Sequence, residues 1–138
     1  MHAEPHVDDD KDIQVIAKLA LEMSGAMSVE QYSSGLEALE KLHNSSPDLI
    51  LLDAMMPVMD GQETLQKIRL TPGFETIPVV FMTAKVESAA IEAMIRNGAS
   101  AVITKPFDPM TLPAQVEKIW KAHHQLSEQA EQTGIAAQ

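Results

Sequence analysis

Two hydrophobic periods alternate along the chain. Between Asp12 and Met23 the apolar residues Ile13, Ile16, Ala17, Leu19, Ala20 and Met23 fall at helical spacing, and Gly25 supplies a stop. Met27 to Tyr32 is short and alternating and predicts a strand. A second helix follows through Leu36, Ala38, Leu39 and Leu42, with Ser34 placed to cap it. Asn44 to Asp48, containing Pro47, is a turn cluster. Leu49 to Leu52 is apolar at consecutive positions and therefore on both faces, as in a parallel strand covered by helices. Met59-Asp60-Gly61 opens a third helix with Leu65 and Ile68 inward, and Thr71 to Thr76 is a loop. Ile77 to Met82 is a second doubly apolar strand, with Pro78 near its first position, where a missing N–H is tolerated. Ser88 to Asn97 is helical through Ile91, Met94 and Ile95 and is closed by Gly98, before a short strand from Ala101 to Thr104. The last helix runs from Leu112 to Trp120, with Val116, Ile119 and Trp120 on one face and Pro113 in its first turn.

The order βαβαβαβαβα predicts an α/β fold, a doubly wound five-stranded parallel sheet with helices on both faces. Right-handed crossovers bring every strand C-terminus to one edge, and ligands of such sheets bind there. Asp8, Asp9, Asp53, Thr83 and Lys105 each fall at a predicted strand C-terminus. Their convergence is the central expectation.

Composition narrows the function. A chain of 138 residues fits one domain, long enough to bury roughly two-thirds of its unfolded surface. Its 45% hydrophobic content is too high for a disordered chain. The apolar runs are only a few residues long, so no transmembrane helix is expected, and the first ten residues lack a secretion signal. Cysteine is absent, which excludes disulfides and thiolate metal sites and agrees with a cytoplasmic protein. Twenty acidic against ten basic residues give a net charge of −10, which disfavours direct nucleic-acid or anionic-membrane partners and otherwise serves solubility. The histidines His2, His6, His43, His123 and His124 show no ligand spacing, and the nine methionines suit core filling.

The clustered carboxylates suit a hard divalent cation, Mg²⁺ or Mn²⁺, which takes oxygen ligands. Asp9 and Asp53 are the natural direct ligands, Asp8 could act directly or through water, and the backbone carbonyl of Met55 could complete the set. Asp53 is the candidate nucleophile for phosphoryl transfer, giving an acyl phosphate. Lys105 and the metal would share the phosphoryl charge, and Thr83 could donate a hydroxyl hydrogen bond. Singly these residues have blander readings. Asp8 to Asp10 could form a solvated helix cap, Thr83 could end a strand and Lys105 could be a surface lysine. Asp10 is read as that cap.

The residues Val7-Asp8-Asp9-Asp10, Leu51-Leu52-Asp53-Ala54-Met55-Met56-Pro57-Val58-Met59-Asp60-Gly61, Met82-Thr83-Ala84, Gly98-Ala99 and Lys105-Pro106-Phe107 resemble the receiver domain of bacterial two-component response regulators, over residues 6 to 122. The resemblance implies the flavodoxin-like strand order 2-1-3-4-5, Asp53 as phosphoacceptor, Asp8 and Asp9 as the acidic pair, Thr83 as the switch hydroxyl and Lys105 as the phosphate-contacting lysine. It implies a cis peptide before Pro106. It also implies a sensor histidine kinase or histidine phosphotransfer protein as donor, a downstream protein target, and homodimerisation on phosphorylation as an option. Switching would pass through the face formed by the fourth helix, the last strand and the last helix. At the family's rotating, usually aromatic position this chain has Val102, which is stiff at χ1 and has no hydroxyl. Met55 and Lys85, two residues beyond Asp53 and Thr83, are expected to tune the lifetime of the phosphorylated state. The first strand reads Ala3-Glu4-Pro5-His6-Val7, and Pro5 predicts an irregular strand that holds Asp8 and Asp9 less firmly.

The leading expectation is therefore a signalling receiver, not an enzyme beyond its own phosphorylation and dephosphorylation. One alternative is a metal-dependent aspartyl-phosphate phosphatase, whose nucleophile and second acid two residues on would be Asp8 and Asp10, leaving Asp53 without a role. Another is a non-switching pseudo-receiver that only binds. The domain is expected to cover residues 1–124, with 125–138 as a polar C-terminal tail, a linker remnant or a short extension of the last helix, from a stand-alone receiver or a fragment of a longer protein.

Overall fold

The computed structural model describes residues 2–23 and 25–132. In chain order the elements are β1 (His2–Ala3), β2 (His6–Val7), α1 (Lys11–Glu22), β3 (Met27–Ser28), β4 (Gln31–Tyr32), α2 (Gly35–Leu42), β5 (Ile50–Asp53), α3 (Gly61–Arg69), β6 (Val79–Thr83), α4 (Ser88–Arg96), β7 (Ala101–Thr104) and α5 (Leu112–Gln132). The main sheet has five parallel strands in the order β4-β2-β5-β6-β7, the doubly wound order expected.

Strict alternation in the central strands sends side chains to two cores. Ile50, Leu52, Val79 and Phe81 face α2 and α3, where they meet Ala38, Leu42, Leu65 and Ile68. Leu49, Leu51, Val80 and Met82 face α1 and α5, where they meet Ala17, Ala20, Leu21, Leu112 and Val116. Both faces are covered, so the consecutive apolar runs are satisfied on each side. The helices start where capping chemistry allows. The Asp10 carboxylate accepts from the Asp12 and Ile13 amides, Ser34 Oγ from the Glu37 amide, and Asp60 from the Glu63 amide.

Pro5 breaks the first strand. β1 pairs with β3, β2 pairs with β4 and β5, and neither pairing includes Glu4 or Pro5. The backbone bonds nevertheless continue across the break. The Glu4 amide donates to Ser28 (3.0 Å), the His6 amide to Glu30 (2.8 Å), and the Leu51 amide to the Pro5 carbonyl (2.9 Å). Pro5 accepts but cannot donate, which is the irregularity its ring dictates.

Two helices depart from the pattern read in the sequence. In α1 the buried residues are Gln14, Ala17, Ala20 and Leu21. Ile16 and Leu19 turn outward with Val15, and Met23, just past the helix, is exposed too. Apolar residues surround much of this helix, and small alanines let it approach the sheet more closely than the larger side chains would. α5 continues through Gln132, well past the expected end at Trp120, so residues 125–132 take the reading of a helix extension. Residues 133–138 of that expected tail lie outside the described residues.

Candidate acidic site at the sheet edge

The site is assembled at the C-terminal ends of β2, β5, β6 and β7. Asp8 follows β2 and is fully buried. Its amide donates to Tyr32 O (3.0 Å), its carbonyl accepts from Gln14 Nε2 (2.5 Å), and its Oδ1 accepts from the Asp10 amide (2.9 Å). The broken strand therefore does not loosen Asp8, contrary to the expectation from Pro5, because α1 and β4 supply the anchors. Asp9 is exposed at the rim. Asp53, the last residue of β5, is 5% exposed and its Oδ1 accepts from the Met55 amide (3.1 Å). Carboxylate oxygens of Asp8, Asp9 and Asp53 lie within 4.8 Å of one another. Asp10 caps α1 instead of joining them.

Lys105 follows β7, and its amide donates to Thr83 O (2.7 Å). Its Nζ lies 2.9 Å from Asp8 Oδ2 and 3.2 Å from Asp53 Oδ1. The Lys105–Pro106 peptide is cis. Thr83 is buried at the end of β6, its Oγ1 accepting from the Lys85 amide (3.1 Å). The side chains of Met55 and Lys85 are exposed at the same rim. Val102 lies further back in β7, half-buried against the α2–α3 core and apart from the acids.

Close backbone contact sets the floor of the site. A Cβ on Gly61 would stand 2.5 Å from the Asp53 carbonyl oxygen and 2.7 Å from Ala54 Cα. Only glycine lets α3 begin directly beneath the end of β5, which explains the Asp60-Gly61 pair.

The two buried acids respond in opposite directions. Burial works against the charge of Asp8, but the facing His6 ring, the Asp10 amide and the Lys105 ammonium outweigh it and lower its pKa. Asp53 is pushed up, first by burial and then by the negative charge of Asp8, with the Met55 amide and Lys105 only partly compensating. Burial also opposes the charge on Lys105, yet its two carboxylate partners raise its pKa. The three clustered carboxylates are a fitting donor set for a hard divalent cation.

The family model for the response regulator receiver domain matches residues 6–117. The chain belongs to this family. As a receiver domain of a two-component response regulator it is a signalling module. It is 36% identical over 113 residues to the response regulator Rre1 of Synechocystis, covering 82% of this chain and 49% of that protein. It is also 36% identical over 112 residues to an uncharacterized 14.6 kDa protein of Leptolyngbya boryana, covering 81% of this chain and 85% of that one. The receiver thus spans about half the length of the first of these relatives. Among solved structures, the chemotaxis protein CheY4 of Vibrio cholerae superposes with a TM-score of 0.80 at 28% identity, covering 86% of this chain and 98% of that one. Among the described residues no helix is long and apolar enough to cross a membrane.

Sequence reasoning missed the polar residues behind Asp8. His6 is fully buried with Nε2 3.7 Å from Asp8 Oδ2, and Gln31 Nε2 lies 3.1 Å from His6 Nδ1. The available signal was the strand's period of two, which puts His6 on the face of Asp8.

Proposed function

We propose that this receiver accepts a phosphoryl group on Asp53 from a phosphohistidine of a sensor histidine kinase or histidine phosphotransfer protein. The observation that carries the reading is the buried Asp53 carboxylate sharing Lys105 with Asp8 beside the exposed Asp9. A carboxylate oxygen of Asp53 attacks phosphorus, the P–N bond to the donor imidazole breaks, and that imidazole leaves with the electron pair. Lys105 neutralises the phosphoryl oxygens as they arrive, and the Thr83 hydroxyl turns to donate to one of them.

Asp8, Asp9, Asp53 and the Met55 carbonyl would hold Mg²⁺ or Mn²⁺, which when bound neutralises the acid cluster and the incoming phosphate. The exposed rim side chains of Met55 and Lys85 are suited to controlling water access and hence the lifetime of the acyl phosphate. The exposed apolar stripe of Val15, Ile16 and Leu19 on α1, beside the acid pair, favours a protein donor.

Output is proposed through the side formed by α4, β7 and α5. None of the described α4 residues is fully buried, and a groove of about 600 Å³ runs between β7 and α5 past Val102, Ile103, Gln115 and Ile119. Thr83 and Val102 would couple the site to it, with valine giving a smaller rearrangement than an aromatic residue. A protein target, or a second copy of the phosphorylated chain, would read that face. The reaction is proposed to take place in the cytoplasm.

The test is incubation with Mg²⁺ and a small phosphodonor. The wild type is expected to gain the mass of one phosphoryl group, and Asp53→Asn to gain none. Equal behaviour of the two proteins would remove Asp53 from this role.

A further inference from the structure

His6 stands behind Asp8, buried, with its Nε2 lacking a hydrogen-bond partner. Its protonation pattern follows from its neighbours. Gln31 Nε2 lies 2.6 Å from the Gln14 carbonyl, which identifies it as the amide nitrogen, since an oxygen there would face another oxygen. The same nitrogen then donates to His6 Nδ1 at 3.1 Å. A neutral imidazole accepting at Nδ1 carries its hydrogen on Nε2, and that N–H points to Asp8 Oδ2 from 3.7 Å, longer than a formed hydrogen bond.

Asp8 Oδ2 is meanwhile occupied by Lys105 at 2.9 Å. The phosphoacceptor reading, on which this inference rests, draws Lys105 toward phosphoryl oxygens on Asp53. Asp8 then loses the one side-chain donor that the described residues place at bonding distance, while a buried N–H with no hydrogen-bond partner among them waits behind it. An unpaired buried donor and an unpaired buried carboxylate both gain by closing the gap.

We propose that His6 is a positioning residue for Asp8: its Nε2–H becomes the buried donor to Asp8 Oδ2 when Lys105 turns to the phosphoryl group, fixing the carboxylate for the divalent cation. Gln31 and Gln14 lock the ring from the far side. Groups in this supporting position commonly orient a metal ligand through its second atom.

The test uses the full chain, titrated calorimetrically with Mg²⁺ in saturating beryllium fluoride, which stands in for the phosphoryl group on Asp53 and so draws Lys105 off Asp8, with thermal melts to confirm folding. His6→Leu is expected to weaken Mg²⁺ binding about tenfold, the low end for losing such support, and His6→Gln, which keeps an N–H donor, to recover most of it. Equal affinity in wild type and His6→Leu overturns the proposal, as does a His6→Gln protein as weak as His6→Leu. No Mg²⁺ binding by the wild type would instead sink the phosphoacceptor reading beneath it. Should His6→Leu fail to fold, imidazole ¹⁵N–¹H spectra of the wild type decide. A hydrogen on Nε2 whose resonance moves downfield with Mg²⁺ and phosphodonor supports the role, and a hydrogen on Nδ1 or an unmoved resonance overturns it.

Discussion

Glu4 and Asp8 lie four residues apart on one interrupted strand, both at most 1% exposed, yet their environments differ in kind. Neither carboxylate oxygen of Glu4 has a hydrogen-bond partner among the described residues. Burial first, then the negative charges of Asp48 and Glu117, raise its pKa from 4.5 to about 7. Asp8 has the Asp10 amide, Lys105 and the facing His6 ring, and is held ionised. Burial alone neutralises an acid, whereas burial among donors makes it a permanent anion. The receiver uses the second arrangement inside its acidic cluster and the first away from it.

The sharpest way to break this contrast is to remove the donor side. Lys105→Met leaves Asp8 and Asp53 buried against each other, and is expected to cost about 3 to 5 kcal/mol in urea unfolding at pH 7 without metal. A loss below about 1 kcal/mol would mean that the amides and His6 suffice.

The Glu4 side is tested by pH. Its folded pKa lies above its unfolded value, so the unfolded chain ionises first. Stability falls as pH rises from 4.5 through about 7 and is level beyond. At 1.36 kcal/mol per pKa unit, the rise from 4.5 to about 7 corresponds to about 3 kcal/mol. Glu4→Gln keeps the shape of the neutral acid. Its unfolding free energy should exceed that of the wild type by that amount at pH 7.5 and match it near pH 4.5. Parallel curves for the two proteins would show that Glu4 is solvated. Asp8 has the opposite sign. Its pKa is depressed, so its contribution is present above its unfolded value and is lost as pH falls toward its folded one.

The smallest effect is expected at Asp53, which shares features of both acids. Its raised pKa marks its charge as unfavourable in the metal-free fold. At 1.36 kcal/mol per pKa unit the rise from 3.8 to about 6 is slightly smaller than that of Glu4, so Asp53→Asn should stabilise that fold by up to about 3 kcal/mol at pH 7, less what its Lys105 bond contributes. A destabilised Asp53→Asn would mean that the Lys105 bond outweighs the repulsion from Asp8.

Much of this was legible in the sequence, for physical reasons that can be named. Leu49–Leu52 and Ile77–Met82 are apolar at every position because helices cover both faces, and Asp53 stands out because a charge ends such a run. Asp10 and Ser34 cap the helices they were placed to cap, and the third helix opens at Asp60-Gly61 as read. The rest was hidden by polarity inside the core. Glu4, Pro5 and His6 read as a poor strand, although their backbone bonds continue, because their burial is set by segments distant in sequence, such as Gln31 against His6. The inward face of α1 was obscured because Ile16 and Leu19 look like core residues, while Gln14 is buried through bonds to Asp8 and neighbouring groups. The length of α5 carried no apolar signal past Trp120.

That length sets a mechanical scale. The named core contacts of α5 end at Trp120, while the helix runs on to Gln132. At 1.5 Å per residue this is an arm of about 18 Å. A 10° tilt of α5 against β7 would carry its far end about 3 Å, so a small angular change at the groove becomes a displacement of atomic size at the end of the helix.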